Sequence, residues 1–192
     1  MKNLILILSS ALCVFSSNIS EAQTNHPLYD YAERQLTSTD TIPDFTEKTQ
    51  KLKVSGIVYE EDGVTPAKDV ILYFEQADED GDFDLRKTND ERYVHHRSWV
   101  KTDADGRYTL YTFIPGNDRR YNRLQEIHPS VMRPDSEPED IASFVFDDDP
   151  LLNKRCRKRM AKHGDVSRIL KPKMVDGILV AQRDIVLNGS SK

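Results

Sequence analysis

From Leu52 onward, short β-branched and aromatic runs alternate with polar turn segments. Leu52, Val54, Ile57, Val58 and Tyr59 make the first run, and Val70, Ile71, Leu72, Tyr73 and Phe74 the second. Glu61, Asp62, Gly63, Thr65 and Pro66 lie between them. Runs of this kind bounded by Gly, Pro and Asp predict two strands joined by a turn. A second pair covers residues 98–102 and 107–113 and hinges at Asp103, Ala104, Asp105 and Gly106, whose Asp-Gly ending signals a hairpin. Further strands are expected at 126–132, 141–146 and 180–187, whereas 150–162 reads as a short helix or an ordered loop. With no long helical period between them, short strands at this spacing predict an all-β sandwich with long loops.

The first fifty residues have a different character. Lys2, an apolar run from Leu4 to Phe15 and the small-x-small pattern Ser20-Glu21-Ala22 predict a secretory signal peptide over 1–22. The run is too short for the roughly 20 residues that cross a bilayer as a helix, so the mature chain is expected to be secreted or periplasmic, with no membrane partner. Residues 23–50 are polar and hold neither period for long, which predicts an extended N-terminal arm against a domain at 51–192, with a helical turn or two near Tyr29 to Leu36.

Composition narrows the functional classes. A formal charge of −5 spread over 192 residues carries no nucleic-acid footprint. Of the two cysteines, Cys13 falls in the leader, so the mature fold carries only Cys156 and is expected to rest on its core rather than on disulfides. The basic run from Lys154 to Arg159 reads as a solvated face balanced by Asp147, Asp148 and Asp149. The stretch Asp78, Glu79, Asp80, Gly81, Asp82, Phe83, Asp84 has the alternating oxygens of a calcium loop, but Phe83 stands where an EF-hand needs Gly, so an acidic turn is expected. His95 and His96 offer imidazoles, yet adjacent residues on a strand face opposite ways.

The order of motifs resembles a known family. A strand, Gly56, a strand, Asp62-Gly63 with Pro66, and then Thr102-Asp103 with Asp105-Gly106-Arg107-Tyr108 is similar to several prealbumin-like sandwiches. The continuation is narrower. Phe74-Glu75-Gln76-Ala77-Asp78, Thr112-Phe113-Ile114-Pro115-Gly116, Arg123-Leu124-Gln125-Glu126-Ile127-His128 and Phe146-Asp147-Asp148-Asp149-Pro150-Leu151 resemble, in order, conserved stretches of the intradiol ring-cleavage dioxygenases, and 183–187 resembles their last strand. The resemblance implies a prealbumin-like antiparallel β-sandwich over about 52–188. It also implies a family reaction in which ferric iron, held by two tyrosinates and two histidines, mediates O2-dependent opening of a catechol-type ring.

The same resemblance places the ligands. His128 falls on the family's second histidine and Glu126 on the first, while Phe83 and Asp118 fall on the two tyrosines. Arg123 falls on the arginine that steadies charge near the substrate, and Ser143 on a family glutamine. A rebuilt Fe(III) site would therefore centre on His128 and Glu126 and draw on Tyr121, Asp118, Tyr93 or His96; without one, no cofactor is expected. Two functions follow: a divergent intradiol dioxygenase acting on a catechol-like ligand, or a non-catalytic secreted binding protein on the same fold. A metal-free hydrolase built from Glu126, His128 and Arg123 lacks a visible nucleophile.

Overall fold

The structure, a computed structural model, describes residues 26–31, 34–89, 91–162 and 166–188; the leader expected over 1–22 lies outside them. Among the described residues the strands are β1 (Thr39–Thr41), β2 (Lys51–Tyr59), β3 (Ile71–Gln76), β4 (Leu85–Thr88), β5 (Glu91–Val94), β6 (Arg97–Lys101), β7 (Arg107–Phe113), β8 (Glu126–Met132), β9 (Glu139–Asp140), β10 (Phe144–Phe146), β11 (Ile169–Leu170), β12 (Lys173–Val175), β13 (Ile178–Gln182) and β14 (Ile185–Val186). Helix α1 spans Lys154–Lys162, and 3-10 turns occupy Pro27–Tyr31 and Phe45–Glu47. No helix among these residues is long and apolar enough to cross a membrane.

Two sheets face each other. The first has the order β1-β7-β2-β13-β12, with β14 also on β2; the second runs β11-β10-β8-β3-β6, with β9 on β8. Pairing is antiparallel through both centres, and the β1–β7, β2–β13, β2–β14 and β10–β11 pairs are parallel. The sandwich expected from the short runs is therefore the fold found. Leu52, Val54, Val58, Tyr108 and Leu110 of the first sheet meet Leu72, Phe74, Val100, Ile127, Val131, Phe144 and Phe146 of the second in one buried cluster. Period-two alternation on β2, β3, β7 and β8 sends these side chains inward. Gln76 is the polar tie at one end. Its amide donates to the Phe113 carbonyl at 3.1 Å and accepts from Thr112 Oγ1 at 2.5 Å, so a fully buried amide keeps its partners.

The hairpin expected at 103–106 is not formed. The turn itself closes, because Asp103 Oδ1 accepts the N–H groups of Asp105 and Arg107 at 2.9 Å each. The strands then part: β6 pairs with β3 and β7 with β2, in different sheets. Docking of the turn on β2 is the cause. Val58 N–H donates to the Gly106 carbonyl at 2.8 Å, and Gly106, at φ +69°, lies so close that a Cβ would stand 2.6 Å from the Val58 oxygen. The strands around 61–66 likewise belong to different sheets, and the strand expected over 141–146 contracts to Phe144–Phe146.

The strand expected over 180–187 breaks at Arg183 and Asp184 and resumes on the same partner. Arg183 N–H donates to Ser55 O, its carbonyl accepts from Tyr108 Oη at 2.6 Å, and Asp184 Oδ1 accepts from Ile57 N–H at 2.9 Å. This brings the Arg183 carbonyl onto Gly56, where a Cβ would sit 1.9 Å from its oxygen. Gly56→Ala is expected to cost on the order of 3 kcal/mol, at the upper end of overpacking penalties because the obstacle is backbone. Chemical denaturation checks it; a midpoint equal to that of the parent chain would show that the break relaxes freely.

The outer face of the second sheet is covered in part. Tyr73 and Trp99 are buried there with Leu28 of the first 3-10 turn, and Tyr31, Leu36, Ile71 and Met132 pack around them. Asp40 on β1 fixes that edge, accepting from Ser98 Oγ at 2.7 Å and from Trp99 N–H at 3.1 Å. The uncovered remainder of this face carries the candidate site.

Candidate functional site

Strands β3 and β8 pair with Glu75 opposite His128 and Tyr73 opposite Ser130. Period-two alternation puts Glu75, Glu126 and His128 on the outer face, next to the Tyr73–Trp99 cluster. A cleft of about 340 Å³ opens there, lined by Phe83, Asp118, Arg123, Glu126, His128 and Glu75, with Ala77, Gly81, Gly116 and Leu124 completing the wall. That volume lies within the roughly 300–1,000 Å³ of small-molecule sites.

The loops around the cleft are held by backbone capture. Asp78 Oδ1 accepts from the N–H groups of Asp80 and Asp82 at 2.9 and 3.0 Å, which gives the acidic stretch the form of a turn and presents Phe83 to the cleft. Gly116 packs against this turn so tightly that a Cβ would meet Glu79 O and Gly81 N at 2.4 Å. Buried Asp149 accepts from Gln125 N–H, Asn117 Nδ2 and Leu151 N–H at 2.7, 3.1 and 2.9 Å, tying the far wall to the segment after β10.

Each polar group in the cleft already has a neighbour. His128 Nδ1 is 3.1 Å from Ser143 Oγ, and its ring lies 5.8 Å from that of Phe83. Glu126 faces Arg168 at 3.6 Å, and Glu75 accepts from Tyr73 Oη at 2.6 Å. Burial, reinforced by the Glu75 carboxylate, pushes the Tyr73 phenol far above its ordinary range, so it donates as a neutral hydroxyl. Asp118 Oδ1 accepts from the N–H groups of Arg120 and Tyr121 at 2.9 and 3.3 Å.

The structure brings His128, Glu126, Asp118 and Arg123 to one cleft and leaves Tyr121 and Tyr93 off its wall. Residues 118 and 123 close a small ring through paired backbone hydrogen bonds of 3.0 and 2.9 Å, and Asn122 turns at φ 54°. Tyr121 stands at the tip of that ring, 64% exposed, with the Arg123 guanidinium 5.4 Å from its ring. Tyr93 lies on the β4–β5 hairpin under the Arg97 guanidinium, 4.2 Å away, and lines a different depression with Arg34, Thr41 and His95. His96 is also outside the cleft. Contrary to the opposed orientation expected of strand neighbours, His95 and His96 occupy a bend between β5 and β6, and both rings reach Asp44.

A ferric ion of the kind the family resemblance implies does not fit the cleft residues. Phe83 offers carbon where a phenolate is needed, and the Asp118 carboxylate faces its own loop. Among the described residues, the only group of three or more histidine, cysteine or acidic side chains with mutually close ligand atoms is Asp44, His95 and His96. Sequence reasoning missed two contributors. Glu75 was discoverable, since it follows Tyr73 by two on a strand; Asp44 had no local signal, lying 51 residues from His95.

No protein-family model and no curated protein matches the sequence. Solved structures do. The dioxygenase domain of a dioxygenase and carbohydrate-binding protein fusion from the cellulolytic bacterium Streptomyces sp. SirexAA-E superposes with a TM-score of 0.58 at 25% identity, over 73% of this chain and 81% of that one. An intradiol ring-cleavage dioxygenase from Tetranychus urticae gives 0.58 at 15% identity, over 83% and 90%. Catechol 1,2-dioxygenase from Pseudomonas arvilla C-1 gives 0.61 at 16% identity, but this chain spans only 58% of its length. The fold is thus similar to that of the intradiol ring-cleavage dioxygenases, at low sequence identity.

Proposed function

We propose that the chain is a binding protein on the dioxygenase scaffold, taking a small hydroxylated aromatic in the β3–β8 cleft without the iron chemistry of its relatives. The observation that carries this reading is the lining itself, in which Phe83 and Asp118 replace phenolate donors while the cleft stays open. Glu75 and Glu126 supply acceptors for ring hydroxyls, Phe83 supplies an aromatic wall, and Arg123 favours an acidic substituent. With the exported chain that residues 1–22 imply, the ligand would be met outside the cytoplasm.

One observation favours the second reading, a rebuilt ring-opening site: Glu126 and His128 project from alternate positions of β8 into the same cleft. Calorimetry with catechol and protocatechuate, run beside an assay for ring-opened product on iron-supplemented protein, separates the two. We expect saturable binding, no product and no visible Fe(III)-tyrosinate absorption. Arg123→Ala is expected to weaken the acidic ligand about tenfold, the size of one charge-assisted hydrogen bond at a partly wet site. Stoichiometric iron with steady product formation would reject the binding-protein reading in favour of the enzyme.

A further inference from the structure

Asp44, His95 and His96 do not line the cleft, yet they converge. Asp44 Oδ2 lies 3.0 Å from His95 Nε2 and 3.3 Å from His96 Nε2, and the three ligand atoms all fall within 4.8 Å of one another. We propose that these side chains form a binding site for one divalent transition-metal ion of the zinc class, separate from the β3–β8 cleft.

The backbone spends conformational energy on this arrangement. Asp44 begins the Phe45–Glu47 turn in the left-handed region, at φ 63° and ψ 8°, and its side chain makes no capping bond to that turn. An aspartate at such a position ordinarily caps the exposed N–H groups; here the carboxylate turns to two imidazoles, and the left-handed conformation itself costs about 1 kcal/mol or more. On the other side of the site, Arg97 N–H donates back to His95 O at 2.9 Å. That tight bend is what lets consecutive side chains face the same way, with ring centroids 5.1 Å apart.

Ligand chemistry fits as well. Two imidazoles and one carboxylate are a recurring three-residue set for zinc and for ferrous iron, leaving an open position. Bonds of about 2.0–2.2 Å place neighbouring ligand atoms roughly 3–3.5 Å apart, the range in which both Asp44 contacts lie. His96 is 3% exposed and its Nδ1 has no hydrogen-bond partner, so its one polar engagement is through Nε2 at this site. Phe113 holds the His96 ring edge-on at 5.0 Å, which fixes its orientation. His95 also lines a solvent-open depression with Tyr93, Arg34 and Arg97, giving an ion an entry path and room for a water. Of the nearby cations, Lys48, 4.6 Å from the centre of the Phe113 ring, is paired with Glu79 at 3.7 Å, Arg97 with Asp30 at 2.7 Å and Arg86 with Asp84 at 2.9 Å.

The test uses the full chain stripped with a chelator and dialysed. Zinc is added in a calorimeter and Co(II) is followed by its visible d–d absorption. One ion per chain is expected, with Co(II) bands of low-symmetry, four- or five-coordinate type. His95→Ala and Asp44→Asn should each weaken zinc by more than about 100-fold, beyond the 10–100-fold typical of outer-shell partners. Paired replacement of Glu126 and His128 by Ala should leave binding unchanged. Thermal melts in chelator identify any variant that fails to fold, and Asp44→Asn, close to isosteric, guards against that outcome. The proposal is overturned if the parent chain binds no ion at sub-millimolar concentration, if a folded Asp44→Asn or His95→Ala chain binds as well as the parent, or if binding disappears with Glu126 and His128.

Discussion

Phe74→Ala is expected to destabilise the chain by about 3–5 kcal/mol, the range for truncating a large buried aromatic. Phe74 is fully buried at the middle of β3 and points between the sheets. Its ring stacks on Tyr108 of the first sheet at 5.8 Å and 28°, and meets Phe144 of the second at 6.1 Å and 55°. Removing it opens a cavity that neither partner can fill. Tyr108 is anchored by its hydroxyl to the Arg183 carbonyl, and Phe144 is locked in register opposite Ile127. Aromatic contacts add about 0.5–1.5 kcal/mol per pair to the area term. At roughly 2–4 °C per kcal/mol for a chain of this size, the melting point should fall on the order of 10 °C. A fall of 2 °C or less would mean that the core repacks and that the sheets are held chiefly elsewhere. Because β3 also carries Glu75, the same variant should blunt ligand binding in the cleft, which a purely local cavity would not do.

Much of the fold was legible because its determinants are local. The runs at 52–59, 107–113 and 126–132 carry their own strand signal, and the strands appear there with little shift. What was illegible is which sheet a strand joins. The Asp103–Gly106 turn closes as its residues dictate, yet β6 and β7 separate because the turn docks on Val58, a contact set by the first sheet. The same limit applies to the site. Strand alternation suffices to put Glu126 and His128 on one face, but Tyr121 is carried away by a backbone ring between Asp118 and Arg123 that no side-chain pattern announces. Strand alternation sends the neighbours His95 and His96 opposite ways, and only the bend at 95–97 turns them together. Loop closure is decided by a few backbone hydrogen bonds, each worth about 1 kcal/mol net. A sequence pattern does not resolve differences of that size.

Installing the ligands that the family resemblance implies tests whether residue identity or loop shape keeps ferric iron out of the cleft. The triple variant Phe83→Tyr, Asp118→Tyr, Glu126→His is expected to gain one Fe(III) per chain and a visible tyrosinate-to-iron absorption, neither of which is expected of the parent. The reasoning rests on positions already in place: residues 83, 118, 126 and 128 line one cleft, and the Phe83 ring lies 5.8 Å from that of His128. Anionic oxygen donors stabilise the ferric state, which a Phe and a loop-capping Asp do not. The substitutions have a cost. Asp118 gives up its bonds to the N–H groups of Arg120 and Tyr121, and Arg168 loses the Glu126 carboxylate, so about 1–3 kcal/mol of stability should go with them. Metal analysis and absorption spectra on the purified variant supply the readout, with circular dichroism confirming the fold. A folded triple variant that stays colourless and iron-free would place the cause in the 118–123 ring, whose closure would then hold the second tyrosine out of reach of His128 whatever side chain it carries.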